Sequence, residues 1–148
     1  MEYSQPVSTP LGRQSRITLN SGPLELQTPA LVLLDVNDKE LFVCPSSLPE
    51  SLAAFFRTVH EHNQDWYQDQ NPKRSHKSMD IGAEKCVFKI KGYTRWYCSA
   101  AGESRIWAAE NARPGQRVIL KVHAPFVWLT RNQYGSAWCV NEVCVLDG

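Results

Sequence analysis

The sequence has no apolar run near the roughly 20 residues that a membrane-crossing helix needs. Its start, Met-Glu-Tyr-Ser-Gln-Pro, is polar and carries no hydrophobic signal segment. Both absences point to an intracellular protein, cytoplasmic or nuclear, without a membrane partner. There is no C-x-x-C pair, and the cysteines (Cys44, Cys86, Cys98, Cys139 and Cys144) are odd in number. Reduced, buried thiols are the expected state. Cys139 and Cys144 with His60 and His62 hold zinc-type donors, but their spacing fits no standard site. The motifs G-x-S-x-G, H-E-x-x-H, G-x-x-x-x-G-K-[ST] and G-x-G-x-x-G are missing as well. His60-Glu61-His62 does not replace them, because helical residues two apart diverge by about 200° and cannot share one ion. Acidic residues are sparse in the second half, which works against paired carboxylates for hydrolysis. The chain is therefore expected to be no enzyme and to need neither metal nor cofactor.

What is present suits a binding protein. The 148 residues are enough for one domain with a core, and a hydrophobic share of 43% argues against wholesale disorder. The net charge of +1 hides an asymmetry. Residues 1–70 hold 4 Lys/Arg and 9 Asp/Glu, whereas residues 71–148 hold 12 Lys/Arg and 6 Asp/Glu. A basic half on a neutral chain suggests a face that attracts anions, although ordinary surface charge can segregate in the same way.

Residues 1–15 look like a flexible arm, rich in Pro, Ser and Gln; residues 16–148 look like one domain. Arg16–Leu19, Ala30–Leu34 and Glu40–Cys44 are strand-like, with a turn signal at Asn20-Ser21-Gly22-Pro23. Ser47-Leu48-Pro49-Glu50 fits a capping box, and a helix is expected from about 48 to 67. Leu52, Phe55, Phe56, Val59 and Trp66 share its apolar face. Residues 68–80 form a polar loop with Lys73, Arg74, His76 and Lys77; it is either a phosphate clamp or plain solvated surface. Residues 84–97 alternate as a strand, with Cys86, Phe88 and Ile90 on one face and Lys85, Lys89 and Lys91 on the other. Gly92 allows a bulge there. Residues 116–122, 126–129 and 137–146 complete the strands, and Pro125 marks an edge or a bulge. The order is α+β, mostly β, which favours a small barrel or a sandwich.

The second half also concentrates aromatics among cations. Trp96, Trp107, Trp128, Trp138, Tyr93, Tyr97 and Tyr134 interleave with Lys85, Lys89, Lys91, Arg95, Arg105, Arg117, Lys121 and Arg131. Single-stranded nucleic acid exposes base faces beside charged phosphates, so stacking platforms beside cations are what its reader requires. Two of the four tryptophans are expected in the core, Trp138 first among them.

One spaced pattern carries a resemblance. It runs Pro114-Gly115-x-x-Val118, then Val127-Trp128-Leu129, then Tyr134-Gly135-x-x-Trp138-x-Val140-x-x-Val143-x-Val145. This resembles the C-terminal β-hairpin of OB-fold single-stranded DNA-binding proteins in large nucleocytoplasmic DNA viruses. Gln27-Thr28-Pro29, Phe55 to Trp66 and Phe88-Lys89-Ile90-Lys91 resemble further pieces in the same order. The resemblance implies an OB-like small β-barrel with one inserted amphipathic helix. It implies single-stranded DNA as partner in replication, recombination or repair, in a host cell if the chain is viral. By position it implies contacts at Lys89, Lys91, Trp128, Arg131 and Tyr134, and Arg95 joins them as a cation among the aromatics. The sequence ends at Leu146-Asp147-Gly148 without the acidic tail that many such binders use. DNA and RNA stay open as ligands, and so does homo-oligomer formation. The rival expectation is a structural or protein-interaction β domain that self-associates through its oppositely charged halves.

Overall fold

A computed structural model of the protein describes residues 1–9, 12–70, 75–76, 81, 85–100, 103–106, 109–129 and 133–146. Along the chain these form β1 (Glu2–Tyr3), β2 (Val7–Thr9), β3 (Gly12–Leu19), β4 (Gly22–Pro23), β5 (Glu25–Gln27), β6 (Leu31–Val36) and β7 (Glu40–Val43). The helix α1 (Glu50–Gln70) follows, then β8 (Ser75–His76), β9 (Val87–Ala100) and β10 (Glu103–Ile106). The last strands are β11 (Arg117–His123), β12 (Phe126–Leu129), β13 (Gln133–Ser136) and β14 (Cys139–Val145).

Five strands close into a ring. β6 pairs with β7, β7 with β9, β9 with β14, β14 with β11, and β11 returns to β6. Only β9 and β14 run parallel. Numbered along the chain, the barrel strands are joined 1-2-3-5-4-1, with α1 inserted between the second and third. This is an OB-like small β-barrel with one inserted helix, the fold class expected from the sequence. Closure leaves no bare edge inside the ring. Alternation builds its interior: Val118, Leu120 and Val122 are buried on β11, while Arg117 and Lys121 are exposed. On β14, which also buries Cys139, the buried valines are Val140, Val143 and Val145. The step of three between the first two follows from a register shift at Asn141.

A second sheet is centred on β3, which pairs with β1, β2, β4 and β12. β12 continues to β13, and β13 to β8. Asn20 and Ser21 both have positive φ, which makes the two-residue turn between β3 and β4. The N-terminal segment therefore differs from the loose arm expected. Residues 1–9 carry β1 and β2, paired to β3, and β3 reaches back to Gly12. Tyr3 stacks on Trp66 at 4.5 Å, and its hydroxyl donates to Asn63 Oδ1 at 2.7 Å. β3 follows directly and holds the segment by backbone pairing, whereas the helix that packs on Tyr3 lies 60 residues along the chain, so local composition does not announce that contact.

The helix joins both sheets. Phe56, Val59, Asn63 and Tyr67 are buried at spacings of three and four, and Leu52, Phe55 and Trp66 flank them. Phe56 meets Trp138 at 4.9 Å and Phe88 at 6.1 Å. Trp138 is a core residue, 7% exposed. Asn63 donates from Nδ2 to Ser136 Oγ at 3.0 Å, tying α1 to β13. The expected capping box does not form. Ser47 Oγ donates to the Cys44 carbonyl at 2.6 Å and accepts from Val32 N–H at 3.1 Å. The Pro49 carbonyl accepts the first helical bond, from Ala53 N–H. Glu50 pairs with Arg57 instead. A tight turn at Pro45–Ser47 takes the Ser47 hydroxyl away from the helix.

Candidate nucleic-acid interface

The connection between the fourth and fifth barrel strands positions the aromatic hairpin. The sequence suggested strands at residues 116–122, 126–129 and 137–146, with Arg131 and Tyr134 in a loop between the last two. The chain instead leaves the barrel after β11, makes the separate pair β12–β13, and returns as β14. Tyr134 accordingly lies in β13 and not in a loop, its backbone paired with Leu129. Trp128 is half-buried on β12, opposite Gln14 on one side and Gly135 on the other. Ser75 and His76 pair in parallel with Gln133 and Tyr134, which anchors part of the basic segment to this hairpin. Arg131 lies outside the described residues, as do Lys73, Arg74 and Lys77.

The β9 cations are not equivalent. Lys89 Nζ donates to Glu40 Oε2 at 2.8 Å, and the antiparallel register sets these residues directly opposite. Arg95 Nη2 donates to Glu142 Oε1 at 2.5 Å, again across a paired position. Lys121 joins the same carboxylate at 3.2 Å. Lys91 is exposed and, among the described residues, forms no ion pair. A simple count of β9 cations therefore overstates the free charge. Glu40 and Glu142 come from other strands, and no local pattern reveals them.

The hairpin and the β9 cations form two clusters: Trp128 and Tyr134 in the second sheet, Lys89, Lys91 and Arg95 on the barrel wall. In OB barrels, nucleic acid lies on the face of strands two and three and on the loops joining strands one to two and four to five. Those parts here are β7, β9, residues 37–39 and the β12–β13 hairpin. The hairpin and the third barrel strand thus occupy the positions that correspond to those two regions.

A further group on the wall was not among the expected contact residues. Tyr93 sits in a bulge of β9, and its hydroxyl lies 3.2 Å from His123 Nε2. Burial lowers the His123 pKa below its ordinary value and raises that of Cys139. The signal available was Gly92, which marked the bulge without showing what it presents.

No family model, curated protein or solved structure matches the chain. Among the described residues no group of three or more His, Cys, Asp or Glu is placed to hold a metal ion. No described helix is long and apolar enough to cross a membrane.

Proposed function

We propose that the chain is a non-enzymatic binder of single-stranded DNA, serving replication, recombination or repair by base stacking and phosphate contact. The observation that carries this reading is the closed OB-like ring whose fourth-to-fifth connection is the Trp128 hairpin, with Ser75 and His76 paired along its edge. Phosphates would follow the cations of the basic segment and of β9, and Trp128 would stack a base. Such contacts give little sequence preference and a steep dependence on salt.

The test is fluorescence anisotropy with labelled oligo-dT and with duplex of equal length, at two salt concentrations. Tighter binding of oligo-dT that weakens as salt rises supports the reading; no binding at low salt, or equal binding of duplex, overturns it. Trp128→Ala should weaken binding roughly 5- to 100-fold, the range of one lost stacked base, without lowering the melting temperature. If that variant melts early or binds normally, Trp128 packs the hairpin and stacks nothing. Sedimentation at low and high salt addresses the rival reading, since self-association without affinity for DNA would favour an interaction domain.

A further inference from the structure

We propose that the Lys91–Thr94 bulge of β9 is a nucleotide-binding position on the barrel wall, where Tyr93 stacks a base and Lys91 takes the neighbouring phosphate. This rests on the reading of the chain as a single-strand binder and adds a contact outside the hairpin.

The bulge is a built feature. Ile90 pairs with Val140 and Arg95 with Glu142, so four residues of β9 stand against Asn141 alone. Thr94 Oγ1 closes the excursion, accepting from Lys91 N–H at 3.0 Å and donating to the Val140 carbonyl at 2.6 Å. Tyr93 projects from this pinned segment with 52% of its surface exposed. Among the residues whose exposure is described it is the one exposed Phe, Tyr or Trp; Trp96 and Trp138 are buried.

The ring is held as well as exposed. Its hydroxyl meets His123 Nε2 at 3.2 Å, and the two rings lie 5.8 Å apart at 48°. An aromatic already fixed at its edge loses little freedom when a base settles on its face. Base faces are open in a single strand and closed in a duplex, so the platform selects the former. Lys91, two residues before Tyr93, has no carboxylate partner among the described residues, in contrast to Lys89 and Arg95. It is therefore the β9 cation that a phosphate meets without displacing another group.

The experiment titrates labelled oligo-dT with the full chain carrying Tyr93→Ala, Tyr93→Phe or Lys91→Ala, and records thermal melts in parallel. Tyr93→Ala should raise Kd roughly 5- to 100-fold, while Tyr93→Phe, which keeps the ring, stays within about twofold of the parent. Lys91→Ala should make the slope of log K against log salt shallower by about 0.7, the contribution of one phosphate contact in a single strand. Parent-like binding by a folded Tyr93→Ala overturns the inference and leaves the hairpin reading standing. Equal losses in Tyr93→Phe and Tyr93→Ala also overturn it, because the hydroxyl and not the ring face would then matter. Should Tyr93→Ala melt early, Lys91→Ala decides, and an unchanged salt slope rejects the site. If the parent chain binds no oligo-dT, the proposed function itself fails.

Discussion

Two glycines show how differently one residue type is used. Gly115 has φ +92° and follows Pro114 in a turn closed by Gln116 N–H to the Arg113 carbonyl at 3.3 Å. Proline then glycine at the centre is the signature of a type II turn, whose second central residue needs positive φ. Gly115 N–H also donates to the Leu33 carbonyl at 2.7 Å, fastening the turn to β6. An alanine there is strained whatever space it finds, so Gly115→Ala should cost about 1–2 kcal/mol. Gly92 differs: its φ is not positive, and a Cβ added there meets nothing within 4 Å. Gly92→Ala should be neutral or stabilising by up to about 1 kcal/mol, since it restricts the unfolded chain without strain. Urea denaturation of both variants checks the pair; a loss at Gly92 as large as at Gly115 would mean that the bulge needs glycine for its backbone. The sequence marked both positions, but only dihedral angles separate a required glycine from a permitted one.

At the scale of elements, α1 was legible because its apolar residues recur at helical spacing over many turns. Its beginning was less so. Ser47 is a sound cap by type, yet a tight turn and β6 claim its hydroxyl. Asn63 was hidden for a different reason: its partners Tyr3 and Ser136 lie on β1 and β13, and a buried asparagine looks like a surface one until they are known. The helix also sets part of the pH response. His60 on α1 and His123 on β11 both have pKa values below the ordinary 6.5, with burial as the main cause. Glu61 opposes the shift at His60; at His123 Glu25 opposes it and Lys91 adds to it. Below pH 6.5 the unfolded chain takes up protons that the folded chain refuses, so it is favoured by linkage. The stability conferred by neutral histidines is thus complete above pH 6.5 and is lost as pH falls through the folded values. The urea midpoint should drop between pH 7.5 and pH 5, and His60→Gln with His123→Gln should flatten that drop. An equal drop in the double variant would place the acid sensitivity elsewhere.

For the whole molecule, the barrel was foreseeable and the second sheet was not. Alternating strands with Gly and Pro between them limit the choice to a few β architectures, and one core-facing helix narrows it further. The second sheet instead depends on pairing β3 with β12, strands at opposite ends of the chain, and no local pattern encodes that register. The same distance concealed the ion pairs. The sequence separates an acidic half from a basic half, but folding brings Glu40 of the first onto Lys89 of the second. Glu142 is an acid within the basic half, and it holds both Arg95 and Lys121. Partly exposed pairs of this kind contribute about 0–1 kcal/mol to folding, so losing one should cost little stability. Their larger effect would be on affinity for an anion, since each carboxylate competes with phosphate for the same cations. Under the proposed function, Glu142→Gln should leave the melting temperature nearly unchanged and tighten oligo-dT binding several-fold. Its salt slope should steepen by about 0.7 for each freed cation that meets a phosphate. Anisotropy titrations across a salt series measure both quantities. Unchanged affinity and slope would mean that the strand does not cross the β9–β14–β11 wall near Arg95, and would confine binding to the hairpin and the bulge.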